Sequence, residues 1–295
     1  MTTAGAQQAV LPVPGWIRGL ATLPFTFWYA VASLLAWIAV LTAHRGHVVQ
    51  PNLKIAFSDR DTDGIRALTR DFYQGYAQVL VELIKAARMS PEDIRQRVTV
   101  TGLEPLRAIL ASGRPVIVLA AHQCNWEWLL LALCGQLGYP VDAAYKPLVN
   151  PWADRAMIAI RSRFGARLVP AQNLLGDILQ RRKIARAIAI NADQEPVQSD
   201  NKHWLRFLNR DSAFYTGPEE IARATRYRVW FLKIRRERRG HYAVEAVPMW
   251  DANEKLAAGE LTERYAALVE QQIRAAPSDW PWSHKRWRLQ RGLYG

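Results

Sequence analysis

His122 and Glu127 are separated by four residues, in the run Val116 to Leu133, VIVLAAHQCNWEWLLLAL. An imidazole titrates near neutrality, so it can take a proton from a substrate group and return it later. A carboxylate beside it fixes the ring's tautomer and stabilises its charged form. The pair therefore points to general-base chemistry, with His122 as base and Glu127 expected to orient it. The spacing alone is weak; its context carries the weight. An apolar run ends at His122 and a helical pattern begins just after it. A second polar pair, Asp193-Gln194, closes another apolar run, Ala185 to Ala192. Asp193 is expected either to bind a substrate hydroxyl or pair with a site arginine, or to be a plain strand-end turn residue. Cys124 and Cys134 are the two cysteines, too few for a disulfide or metal framework.

These groups need elements to hold them. Val116–Ala121 reads as a buried strand. Asn125 is placed to cap a helix over Trp126–Leu137, with Glu127 in its first turn, where the helix dipole favours a carboxylate. A helix over Ile65–Arg88 precedes them. Strands are expected at Val98–Thr101, Val141–Tyr145, Ala166–Val169, Ala185–Ala192, Arg228–Arg235 and Tyr242–Pro248. Helices are expected at Gly102–Ser112, Pro151–Phe164, Leu174–Lys183, Gly217–Arg226 and Leu261–Ala275. Strand and helix alternate with short links, which predicts an α/β fold with a central sheet flanked by helices. In such sheets functional groups gather beyond the strand ends, where His122 and Asp193 both fall.

The chain has 295 residues, 50% of them apolar, and a formal net charge of +13. That charge suits an anionic partner. Nucleic acid is disfavoured, because no helix-turn-helix, zinc-finger or aromatic RNA-binding signature is present. Residues 19–43 carry no charge, and the apolar heart Leu23–Leu41 is about long enough for a bilayer core. They are expected to form one transmembrane anchor, after a lead of residues 1–18 and before a domain of residues 44–295. Arg45, Lys54, Arg60 and Arg66 follow the anchor, which places the bulk of the chain in the cytoplasm by the positive-inside rule.

The run from His122 to Glu127, His-Gln-Cys-Asn-Trp-Glu, resembles the His-x4-Asp/Glu motif of the late acyltransferases of bacterial lipid A biosynthesis. Further similar blocks follow in the family's order: Asn52 to Phe57, Tyr145-Lys146-Pro147 with Asn150-Pro151 and Arg161, Asp193 to Pro196, Thr216-Gly217-Pro218, and Trp280 to Trp287. Cys124 stands where the family usually has Gly, and Phe207-Leu-Asn209 where Phe-Phe-Gly is common. The resemblance implies an inner-membrane O-acyltransferase with one N-terminal transmembrane helix and a glycerolipid-acyltransferase-like domain. It implies acyl carrier protein as donor of the acyl thioester and a hydroxyl on a phosphorylated lipid A precursor as acceptor. It implies no metal or cofactor. Arg161 and Lys146 become candidates for binding phosphate, and Asn125, Asp193 and Gln194 for contacting substrate. Two alternatives remain: an acyltransferase acting on another glycolipid or glycerophospholipid, and a membrane-tethered basic protein that binds nucleic acid. The tail, in which Trp280, Trp282 and Trp287 alternate with basic residues, is expected to sit at the membrane interface or, failing that, to pack against the domain.

Overall fold

A computed structural model describes residues 11–197 and 201–291. The order of elements begins with α1 (Gly15–Leu20), α2 (Phe25–Leu41), α3 (Gly46–Ala56), α4 (Thr62–Ala86) and α5 (Pro91–Arg97). The sheet then starts, with β1 (Val98–Thr101), α6 (Glu104–Ala111), β2 (Val116–Ala120), α7 (Trp126–Leu137), β3 (Val141–Tyr145) and α8 (Pro151–Arg161). Next come β4 (Arg167–Pro170), α9 (Leu174–Gln180), β5 (Ala187–Asn191), β6 (Lys202–Phe207), β7 (Arg210–Tyr215) and α10 (Gly217–Thr225). The long strands β8 (Arg228–Arg238) and β9 (His241–Trp250) and the helix α11 (Glu260–Ala275) complete it.

Seven strands form one sheet in the order β1-β9-β8-β2-β5-β3-β4. Its pairings are parallel except for β8 with β9. The expected α/β architecture with a flanked central sheet is thus what forms. All five residues of β2 are buried, because helices cover both faces of a parallel sheet and no side can face water. Each large apolar side chain so enclosed contributes roughly 1.5–3 kcal/mol. The register matters for the site. Ala120 of β2 lies opposite Asn191 of β5, and each chain leaves the sheet just beyond that pair. His122 and Asp193 are each two residues past it, so they emerge side by side.

The hairpin β6–β7 was not expected from the sequence. Its turn residues Leu208 and Asn209 have φ of 50° and 64°, the left-handed values a tight hairpin needs and asparagine tolerates. The run Arg235 to Arg239 forms the end of β8 and the turn of the β8–β9 hairpin; it is exposed except for Arg236, which turns inward to Gln78 and Asp279.

The N-terminal segment departs from the expectation more strongly. Residues 19–43 do not form one helix: α1 stops at Leu20, and Pro24 starts the 17-residue α2. Among the described residues no single helix is long and apolar enough to cross a membrane. After the left-handed residues Ala43 and Arg45, α3 runs at 88° to α2. Trp28, Tyr29, Ala32 and Ala36 form a buried stripe, and the two alanines let α2 approach α4 closely. Phe27, Leu34, Leu35, Trp37, Ile38 and Leu41 point outward. A helix buried along one side and apolar along the other belongs to the domain's own packing as much as to any surface beyond it.

The C-terminal tryptophans pack inward, which corrects the interfacial reading. Trp280, Trp282 and Trp287 are buried, and so is the Arg286 guanidinium between them. Trp282 meets Phe57 edge-on, and Asn52 donates to the carbonyls of Trp282 and His284. The early block Asn52–Phe57 and the late block Trp280–Trp287 are therefore one contact surface, which explains why both are distinctive in the sequence. Trp282→Ala should remove a fully buried ring, costing about 3–5 kcal/mol and lowering the melting temperature by roughly 6 °C or more. A calorimetric scan that shows no change would return the tail to a surface role.

Candidate active site

β2 ends against the turn Ala121 to Asn125, and that turn carries His122. The turn is tight because Cys124 adopts φ of 51°, a conformation in which a side chain is strained and glycine is at ease. It is held in place from outside: the Cys124 N–H donates to the Asp279 carbonyl at 2.9 Å. The Cys124 thiol is buried, and burial pushes it well above its ordinary range, so it stays protonated.

His122 keeps 20% of its side chain exposed. Its Nδ1 lies 2.7 Å from Asp193 Oδ1, and its backbone N–H donates to Asp193 Oδ2 at 3.1 Å. Trp280 Nε1 also donates to Oδ2, at 2.9 Å. With Oδ2 taken by two donors, Oδ1 is the acceptor for the ring, so Nδ1 carries the proton and Nε2 is left as the basic nitrogen. Asp193, not Glu127, is thus the group that orients the histidine. The sequence expectation for both carboxylates is corrected: Asp193 is fully buried, too deep for a substrate hydroxyl, and among the described residues no arginine bonds its carboxylate.

Burial disfavours a charged imidazole here, but the adjacent Asp193 charge and its hydrogen bond outweigh it, with help from Glu127, and the His122 pKa rises above 6.5. Burial works against the ionised Asp193 too, and His122 with the three N–H and ring contacts more than offsets it, holding the carboxyl below its usual range. Arg286 supports this corner. Its Nε donates to the Asp193 carbonyl and its Nη2 to that of Ala213, both at 2.8 Å. Its guanidinium stacks over Phe214 and has no carboxylate partner among the described residues, so desolvation lowers its pKa to about 10. His284, from the same tail, senses the charges of His122 and Asp193; burial and then Arg286 push its pKa down to about 4, so it is neutral near pH 7.

Glu127 sits in the first turn of α7 as expected, but its partner is Arg161 at the end of α8. Arg161 Nε and Nη2 donate to the two carboxylate oxygens at 2.8 and 2.6 Å, a bidentate pair, and Trp126 Nε1 adds a third bond at 3.0 Å. Arg161 is therefore not a free phosphate ligand; two of its three nitrogens are engaged and Nη1 remains. Asn125 caps α7 through Trp128 N–H at 2.9 Å, and its Nδ2 donates to Glu82. Both ends of this buried amide are occupied inside the protein, which displaces the expected substrate contact. Lys146 and Gln194 are exposed, at the ends of β3 and β5. Among the described residues there is no cluster of metal-ligating side chains.

Trp280, Arg286 and Glu82 escaped the sequence reading of the site. The first two lie far along the chain, with nothing local to mark them as partners of Asp193. Glu82 does leave a signal: it falls on the buried stripe of α4 between Val79 and Ala86, where a carboxylate is out of place.

The Glu127–Arg161 pair is largely dehydrated, so removing one partner strands a charge. Arg161→Ala should cost about 3–5 kcal/mol of stability, and Arg161→Lys should restore only part, since lysine cannot make two parallel bonds. Thermal melts of both variants test this; equal stability for Arg161→Ala and wild type would place Arg161 outside the structural frame.

The model of the bacterial lipid A biosynthesis acyltransferase family matches residues 10–289. A lipid A biosynthesis acyltransferase of Haemophilus influenzae is 25% identical over 155 residues, 52% of this chain and 48% of that protein. The chain spans about half the length of the curated relative it matches. The family match runs through the β2–His122 turn, the Asp193 loop and the buried tryptophan tail, and on that extent the chain belongs to the bacterial lipid A biosynthesis acyltransferase family.

Proposed function

We propose that the protein transfers a fatty acyl chain from an acyl carrier protein thioester to a hydroxyl of a phosphorylated lipid A precursor. The observation that carries this reading is the His122–Asp193 pair, with Nδ1 held and Nε2 free of any hydrogen bond among the described residues. In this mechanism Nε2 takes the hydroxyl proton as the oxygen attacks the thioester carbonyl. The C–O bond forms, the tetrahedral oxyanion collapses, and the C–S bond breaks. The imidazolium then returns its proton to the departing thiolate. Asp193 stabilises the imidazolium throughout. Arg161 Nη1 and the exposed Lys146 supply positive charge for the oxyanion or the acceptor's phosphate. No enzyme-bound acyl intermediate is required, because the acceptor hydroxyl is the nucleophile.

The acceptor is a lipid, so the enzyme works at a membrane. The outward apolar face of α2, with Trp37, Leu34, Leu35, Ile38 and Leu41, supports attachment there, flanked by Arg45 and Lys54. The proposed location is the bacterial inner membrane, with the catalytic domain on the cytoplasmic side. Leu34→Ser with Trp37→Ser should weaken sedimentation with anionic vesicles and leave turnover of a detergent-dispersed acceptor in place. Undiminished vesicle binding would exclude this face as the attachment.

His122→Ala should reduce transfer by about 10²- to 10⁴-fold without unfolding the chain. Asp193→Asn is more telling. The asparagine oxygen must occupy the Oδ2 position to accept from His122 N–H and Trp280, which turns its NH₂ toward Nδ1. The ring proton then moves to Nε2 and the base is lost, at a cost on the order of 10⁴-fold. Because the base must be neutral, activity falls as pH drops through the His122 pKa, and its raised value places that acid limb above pH 6.5. Glu127→Gln should move the limb down less than loss of the Asp193 charge does. Rates against pH with a carrier-protein thioester, and mass spectrometry of lipid A from cells with and without the gene, test the chemistry and the acceptor. Near-normal transfer by His122→Ala would overturn the mechanism.

A further inference from the structure

Glu82 is fully buried near the middle of the molecule, and the chemistry above does not use it. Four elements converge on it. Tyr29 of α2 donates to Oε1 at 3.0 Å. Asn125, at the start of α7, donates to Oε2 at 2.8 Å, and Tyr242 of β9 donates to the same oxygen at 2.6 Å. Trp128 Nε1 donates to the Glu82 backbone carbonyl at 3.1 Å. Arg236 of β8 supplies the nearby positive charge.

The direction of the Asn125 bond is determined. Asn125 Oδ1 accepts the Trp128 N–H, so its other end is the NH₂ and must donate to Glu82. Oε2 therefore accepts from Asn125; burial raises the Glu82 pKa, and the Tyr242, Asn125 and Tyr29 bonds and the Arg236 charge work against that rise. Asn125 is three residues past His122, across the strained Cys124. The turn is fixed at one end by Asp193 and the Asp279 carbonyl, and at the other by Glu82 through Asn125.

We infer that Glu82 is a positioning residue: through Asn125 it holds the turn that presents His122 to Asp193. It also joins that turn to Tyr29 on α2, so the helix with the exposed apolar face is tied to the reacting histidine by two hydrogen bonds in series. The inference rests on the assignment of His122 as base. A buried carboxylate with three donors does more than fill space, since an apolar residue of that size would leave two phenols and an amide without partners.

The test is a polarity swap. Asn125→Asp keeps an N-cap but sets a carboxylate against Glu82. Glu82→Leu removes both acceptor oxygens and leaves the Asn125 NH₂ without a partner, whereas Glu82→Gln alone keeps one, because its amide oxygen turns to Asn125 and Tyr242 and its NH₂ to the Tyr29 hydroxyl, which can accept. The double variant, Glu82→Gln with Asn125→Asp, re-forms one bond in the opposite direction, with the introduced amide donating to the introduced carboxylate. Full-length proteins are compared by kcat and KM for a carrier-protein thioester with lipid A precursor, and by NMR titration of the His122 ring. The groups facing that ring are Asp193 after β5, Glu127 on α7, Arg161 on α8 and His284 in the tail, none of which is altered. Asn125→Asp and Glu82→Leu should each lose roughly tenfold or more in kcat with donor KM unchanged, since small displacements of a reacting group are costly. The His122 titration should move to lower pH, because its contact with Asp193 loosens. The double variant should regain most of both relative to Asn125→Asp. An unmoved His122 titration in Glu82→Leu overturns the inference, as does a double variant no better than Asn125→Asp. If the singles aggregate, the double decides: a soluble protein with the wild-type titration supports the inference, and an aggregated or shifted one overturns it. Absence of transfer by the wild-type protein would instead overturn the function, since the titration reads the turn without it.

Discussion

The contact between His122 Nδ1 and Asp193 Oδ1 is the constraint around which the rest is arranged. A carboxylate with no exposure to water is expensive unless every lone pair is used. Here the ring, the His122 N–H and the Trp280 indole use them, and the Arg286 charge lies behind. Such a group cannot be left half-satisfied, so the tail that supplies Trp280 and Arg286 must be closed over the sheet for the site to exist. The buried tryptophans are the means of that closure, and their apolar area holds the polar contacts in register.

A second ion pair, Glu127 with Arg161, sits beside the first and has a different task. It locks the start of α7 to the end of α8. The two pairs divide roles that a reading of the motif alone would assign to one carboxylate. Glu127 lies close enough to raise the His122 pKa by its charge but spends both oxygens on Arg161. The motif's acid therefore frames the site, and the acid that touches the base comes from the next strand in the sheet.

The departures from the family pattern fit the same geometry. Cys124 takes a left-handed conformation at the place where glycine is usual, and Asn209 does so in the β6–β7 turn. In both cases neighbours brace the left-handed conformation: the Asp279 carbonyl at Cys124, and the carbonyls of Ile55 and Ala56, bonded by the Asn209 amide.

Much of the architecture was legible in the chain. β1, α7 and β3 have the bounds expected from the pattern of apolar residues, because local periodicity and helix-start signals, such as the Asn125 cap of α7 and Pro151 in the first turn of α8, are sequence-local. His122 was marked by its place at the end of a buried strand. What the sequence could not carry is who meets whom. The choice of Asp193 over Glu127 follows from the pairing of Ala120 with Asn191, a relation between strands about seventy residues apart along the chain. The inward fate of the tryptophan tail and the half-buried state of α2 depend on complementary surfaces, Asn52–Phe57 and the α4 stripe, that exist only once the chain is folded. An apolar run states only that water will be excluded from it; whether lipid or protein does the excluding is settled by packing.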